Sequence, residues 1–171
     1  SREVERAAHV GRYARAPCAA FSRENKGFRR RHASPGTRAT VIVVDASAVI
    51  ELVLAKPAAG SILERMYGRD GLTLAPDLIE VEVLHVLRRL VLNEGLGPER
   101  AATAIALFHD LPIHTVGHRA LAMRIWELRH QFSAYDAAYV ALAEGLDAPL
   151  LTSDRRLMNS HGHHARVELL A

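Results

Sequence analysis

Val41-Ile42-Val43-Val44-Asp45-Ala46-Ser47-Ala48 is the stretch on which the reading of this chain turns. Its first four residues are apolar and β-branched, the composition of a short parallel strand buried on both faces. A carboxylate and a hydroxyl follow before an apolar helical pattern sets in, so Asp45 emerges at the carboxyl end of the strand. In open α/β sheets that edge is where ligands bind.

The punctuation downstream is regular. Residues 46–55 read as a helix halted before Pro57, and 58–67 as a second helix. Leu72-Thr73-Leu74 suits a short strand. The longest helical pattern runs over 77–93, with Ile79, Val83, Val86, Leu87 and Leu90 on one apolar stripe, and stops at Gly95 and Gly97. Pro98 opens a helix to about Phe108, Pro being favoured in a first turn. A strand over 112–116, helices over 118–130 and 134–146, a strand over 149–152, a turn or short helix over 154–158 and a last strand over 166–170 complete the pattern. Strands alternating with helices imply an α/β domain whose mainly parallel sheet is covered on both faces.

Composition limits what such a domain is expected to do. At 171 residues the chain is one domain with an appendage. Hydrophobic residues make up 49%, yet no apolar run is long enough to span a bilayer, so a soluble domain without a membrane partner is expected. Cys18 stands alone, which rules out an intramolecular disulfide framework or a multi-cysteine zinc site and fits a reducing cytoplasm. The formal charge of +3 is unevenly spread: residues 1–40 hold ten Lys/Arg against three acids, and residues 41–171 hold twelve against sixteen. The first segment has no Leu, Ile or Met, so 1–40 is read as a basic arm that does not fold alone, and 41–171 as the domain. It contains no secretory-type apolar stretch, and Glu3, Glu5 and Glu24 argue against a transit peptide.

Four acids carry the chemistry: Asp45, Glu82, Asp136 and Asp154. Each has a plainer reading. Asp45 can cap the helix it precedes. Ser133-Ala134-Tyr135-Asp136 has the form of a capping box. Asp154 can cap a turn or pair with Arg155 or Arg156. Glu82 is harder to dismiss, because its helical neighbours include Leu78, Ile79 and Val86, and a carboxylate on that side needs a partner. Two of the four follow strands and two lie on flanking helices. Carboxylates gathered at one edge repel and raise one another's pKa unless a cation neutralises them. An all-oxygen donor set selects Mg²⁺ or Mn²⁺ over zinc.

Val43-Val44-Asp45-Ala46-Ser47-Ala48, Ala75-Pro76-Asp77-Leu78 with Glu82-Val83 and Leu87, Tyr135-Asp136 through Ala143, and Leu151-Thr152-Ser153-Asp154-Arg155-Arg156-Leu157 together resemble the PIN domain family, in particular its small VapC-type toxins. The resemblance covers about residues 41–171. It implies a three-layer α/β/α fold, Mg²⁺- or Mn²⁺-dependent cleavage of RNA, a homodimer and a cognate antitoxin partner. It assigns Asp45, Glu82, Asp136 and Asp154 to the acidic metal site and puts the hydroxyls of Ser47 and Thr152 beside it. His85 departs from the family pattern, where Asn is frequent, and so does the long amino-terminal arm.

Arg88, Arg89, Arg155 and Arg156 lie near the acids in sequence and are read either as phosphate holders or as solvated helix ends. His161-Gly162-His163-His164 reads as a polar loop, since neither Cys nor a helical His pair supports a metal there. Trp126, with Leu121, Ile125 and Leu128, reads as core or dimer surface rather than a base-stacking platform. An aspartyl-nucleophile phosphatase would need a second Asp two positions after Asp45, where Ser47 stands. The remaining rival is a binding module without catalysis, in which the acids are caps. For the arm, residues 21–31 either reach the acidic groove in cis or attract RNA.

Overall fold

The structure, a computed structural model, describes residues 41–67 and 71–170; the basic arm expected over 1–40 lies outside the described residues. Five parallel strands form one sheet in the order β3-β2-β1-β4-β5: β1 is Val41–Val44, β2 Leu72–Pro76, β3 Ile113–Val116, β4 Pro149–Thr152 and β5 Arg166–Leu169. The helices are α1 Ala46–Val53, α2 Ala59–Tyr67, α3 Ile79–Leu92, α4 Pro98–Asp110, α5 Ala122–Glu127, α6 Ala134–Leu146 and α7 Arg155–Met158. The chain winds outward from β1 to β3, then crosses back to β4 on the other side of β1. Parallel crossovers are right-handed, so this reversal puts α1 to α4 on one face and α5 and α6 on the other. The three-layer α/β/α fold expected from the alternation is therefore present.

Local chemistry explains the central elements. Every residue of β1 is buried, as its unbroken β-branched run requires. Helix α3 buries Ile79, Val83 and Leu87, with Val86 and Leu90 partly buried beside them, which is the stripe seen in the sequence. Helix α6 is buried continuously from Ala137 to Ala143 because it lies across β1, β2 and β4. Burying one Leu- or Ile-sized side chain contributes about 1.5–3 kcal/mol, and Ile42, Leu142, Leu150 and Leu151 are all fully enclosed.

Two expectations need correction. The strand expected to stop at Leu74 runs on through Pro76, because its ladder with β3 continues to the Pro76–Val116 pair. The helix expected over 118–130 is broken into a 3₁₀ turn, His118–Ala120, and the short α5. Leu121 and Leu128 of this segment are buried, and Ile125 between them is partly buried against the core. Arg124 fixes α5 against α6 through Nε and Nη2 donated to Glu144 at 2.7 and 3.0 Å. Burial alone would raise the Glu144 pKa, but Arg124 and the His164 amide outweigh it and hold the carboxyl below its usual range. Trp126, expected in the core or at a dimer surface, is 63% exposed and outside the core. Among the described residues no helix is long and apolar enough to cross a membrane.

Candidate acidic site

The strand order reverses between β1 and β4, and a crevice opens at the carboxyl ends of the strands flanking such a point. Asp45 directly follows β1 there, and Thr152 ends β4. Asp45 is almost wholly enclosed, 7% exposed, and is the N-cap of α1. Its Oδ1 accepts from the Ala48 amide at 2.9 Å and the Ser47 hydroxyl at 2.7 Å, and its Oδ2 accepts from the Thr152 hydroxyl at 2.6 Å. Each hydroxyl has a single proton, and both are committed to Asp45, so the 3.3 Å contact between Ser47 and Thr152 is not a hydrogen bond. Their oxygens instead accept from the two amides that follow β4, Ser47 from Ser153 N at 2.8 Å and Thr152 from Asp154 N at 2.9 Å. The start of α1 and the end of β4 are thus tied through one carboxylate. Burial pushes the Asp45 pKa up, against these three hydrogen bonds, and the Asp154 charge adds to the rise.

Glu82 sits in the first turn of α3, half-buried, and its Oε2 accepts from the Tyr139 hydroxyl of α6 at 2.5 Å. Burial raises its pKa, Tyr139 opposes this, and the charges of Asp136 and Asp45 add to the rise. Burial and the Glu82 contact drive the Tyr139 hydroxyl far above its ordinary range, so it stays protonated as a donor. In the sequence Tyr139 stands inside the motif that runs from Tyr135 to Ala143. Nothing in its spacing marked it as the partner Glu82 requires, because the pairing joins helices 57 positions apart.

Asp136 is exposed at the start of α6, where Ser133 Oγ accepts from its amide at 3.1 Å and donates to its Oδ2 at 2.8 Å. The capping arrangement seen in the sequence is therefore formed. Asp154 caps α7 and is wrapped by one residue: Arg156 donates its amide at 2.8 Å and Nε at 3.3 Å to Oδ1, and Nη2 at 3.0 Å to Oδ2. The Arg156 side chain holds the Asp154 carboxyl below its usual range. Mutual repulsion, expected to raise the pKa values of the group, is secondary to burial at Asp45 and Glu82, while at Asp154 Arg156 outweighs burial and turns the shift downward.

The acids share an edge without closing on one point. Asp136, Asp154 and Arg156 line a cavity of about 160 Å³, and Glu82 lines another of about 450 Å³ with Ala46, His85 and Tyr135. Among the described residues no three His, Cys, Asp or Glu side chains are grouped closely enough to hold a metal ion. Their chemistry nonetheless suits a hard cation. Asp45 uses one acceptor position of Oδ2, and no donor approaches the second carboxylate oxygen of Asp136 or Glu82 among the hydrogen bonds of the described residues. Arg88, Arg89 and Arg155 are exposed. His163 rests its ring edge-on against Phe132 in an irregular loop, as the polar reading of that stretch expects.

The family model of the PIN domain matches residues 42–160, which span both β1 with Asp45 and the turn carrying Asp154. The chain belongs to the PIN-domain family. This PIN domain is 38% identical over 131 residues to Ribonuclease VapC12 of Mycobacterium tuberculosis, an alignment covering 77% of this chain and all of that protein. It is 38% identical to Ribonuclease VapC1 of the same organism, over 75% of this chain and 96% of the relative. Among solved structures it superposes on PAE2754 from Pyrobaculum aerophilum with a TM-score of 0.56 at 20% identity, over 72% of this chain and 81% of the other. It also superposes on a chain of VapBC2 from Rickettsia felis, crystallised with a DNA fragment from the promoter, with a TM-score of 0.59 at 11% identity, over 77% of this chain and 100% of the other. These two structural likenesses establish the shared fold.

Proposed function

We propose that this PIN domain is a metal-dependent endoribonuclease that hydrolyses RNA phosphodiester bonds and acts as the toxin of a toxin–antitoxin pair. The observation that carries the reading is Asp45: a buried carboxylate fixed by three donors at the switch point of the sheet, with three more carboxylates on the same edge. Kinship with the VapC ribonucleases supports it.

Asp45, Glu82, Asp136 and Asp154 are the residues that would hold Mg²⁺ or Mn²⁺, with Asp45 and Asp154 as the principal ligands. When bound, a divalent ion supplies an activated water and neutralises charge on the phosphodiester. The chain's own contribution is placement. Ser47 and Thr152 lock the Asp45 rotamer, and Tyr139 aims Glu82. Arg88, Arg155 and Arg156 are the cations available to phosphate oxygens, and the Lys and Arg residues of 1–40 add sequence-independent attraction for RNA. A cognate antitoxin and a second copy of the chain are its proposed partners.

A second reading has one observation in its favour: Asp45, Asp136 and Asp154 all serve as helix caps or in a capping box. In it the protein binds RNA or a protein partner without catalysis. Capping accounts neither for Glu82 nor for the enclosure of Asp45. RNA incubated with wild-type protein and Asp45→Asn, with Mn²⁺ and with EDTA, separates the two, because Asn preserves the cap while removing a ligand charge.

A further inference from the structure

We infer that Trp126 and Arg129 form a stacking platform for an unpaired base of the RNA substrate, reached from the acidic edge across Phe132. The inference rests on the ribonuclease reading and names a place where its substrate is held. Trp126 is the only tryptophan of the chain, and it stands 63% exposed on a helix that the Arg124–Glu144 pair fixes to the domain. The guanidinium of Arg129 lies 4.8 Å from the centre of its indole ring, held there by Nη1 donated to the Trp126 carbonyl at 2.9 Å. A fixed indole paired with a guanidinium plane is the surface on which unstacked bases settle.

A further observation brings RNA to this place. Trp126 and Arg129 line a cavity of about 380 Å³ whose wall includes Phe132, and Phe132 also lines the cavity of Asp136, Asp154 and Arg156. The platform is therefore next door to the acids, on the side where Arg156 already provides a cation. His118 lines the same cavity.

The lone tryptophan is its own reporter. Full-length protein is titrated in EDTA with a single-stranded RNA oligonucleotide of mixed sequence, and in parallel with inorganic polyphosphate of matched charge. Indole emission and fluorescence anisotropy of the labelled ligands are followed together. RNA is expected to quench Trp126 along the same curve as binding, whereas polyphosphate binds without quenching. Trp126→Ala is expected to weaken RNA binding by about 5- to 100-fold and to leave polyphosphate binding unchanged, with Trp126→Phe recovering most of the loss. Circular dichroism confirms that the variants fold. RNA binding that leaves emission unchanged and is indifferent to Trp126→Ala overturns the inference, as does a failure to bind RNA. So does emission that depends on protein concentration alone, with Trp126→Ala converting a dimer to monomers, which would place the indole between two copies. RNA cleaved in EDTA, or by Asp45→Asn, counts against the metal reading and leaves the Trp126 result interpretable.

Discussion

The Tyr139 hydroxyl on α6 donates to Glu82 Oε2 on α3 over 2.5 Å, joining helices from opposite layers of the domain above the end of β1. A half-buried carboxylate with neighbouring negative charge is costly without a donor, and this one is supplied by a residue only 3% exposed. Tyr139→Phe removes a single oxygen from a packed position. It is expected to cost about 1–2 kcal/mol of stability, read from chemical denaturation. In a double-mutant cycle with Glu82→Gln the two changes are expected to be less than additive. Simple additivity would mean that the two side chains do not act on each other.

The raised Asp45 pKa fixes a sign for stability against pH in the absence of metal. Its folded value lies above its ordinary value of 3.8, so its contribution to stability is full below that pH and is lost as pH rises through the folded value. Across that window wild type is expected to lose about 1.4 kcal/mol per pH unit that Asp45→Asn does not lose. Melting temperatures in EDTA, measured from pH 3.5 upward, compare the slopes. Parallel slopes for the two proteins would contradict the burial of an ionisable group at this position.

Asp154 has the opposite sign, since Arg156 lowers its pKa, and the same contact bears on metal binding. An ion that used Asp154 would compete with the Arg156 side chain, which is 92% exposed and held by nothing else among the described ion pairs. Arg156→Ala is expected to bind Mn²⁺ about two- to five-fold more tightly by calorimetry, the gain typical of releasing an exposed ion pair. Arg155→Ala removes the same charge one residue away without touching Asp154, and is expected to change the affinity less. Equal effects of the two substitutions would reduce Arg156 to a distant charge.

Most of the fold was legible in the sequence because its elements announce themselves locally. The β-branched run of β1, the stripe of α3 and the Ser133 capping box each depend on near neighbours, and all three took the form expected. The 118–130 segment departs from one long helix although Leu121, Ile125 and Leu128 do pack on the core at helical spacing, because nothing local in the sequence marks the break between the 3₁₀ turn and α5. At the acidic edge, the sequence offered Ser133 for Asp136 and Arg155 or Arg156 for Asp154, but no partner for Glu82. Tyr139 for Glu82 depends on how α3 and α6 meet, and the choice of Arg156 over Arg155 depends on the turn that α7 makes. For the same reason the pKa of Asp154 ran opposite to an argument from like charges alone.

Asp45 is the anchor of the proposed metal-dependent cleavage site. The most direct test is the rate at which labelled RNA is cut by wild type and by Asp45→Asn, each with Mn²⁺ and with EDTA, in samples shown by circular dichroism to be folded. Wild type is expected to cut only with the ion present, and Asp45→Asn to lose cleavage by about two orders of magnitude or more while keeping its helix cap. Cleavage by Asp45→Asn at the wild-type rate, or by either protein undiminished in EDTA, would contradict the account.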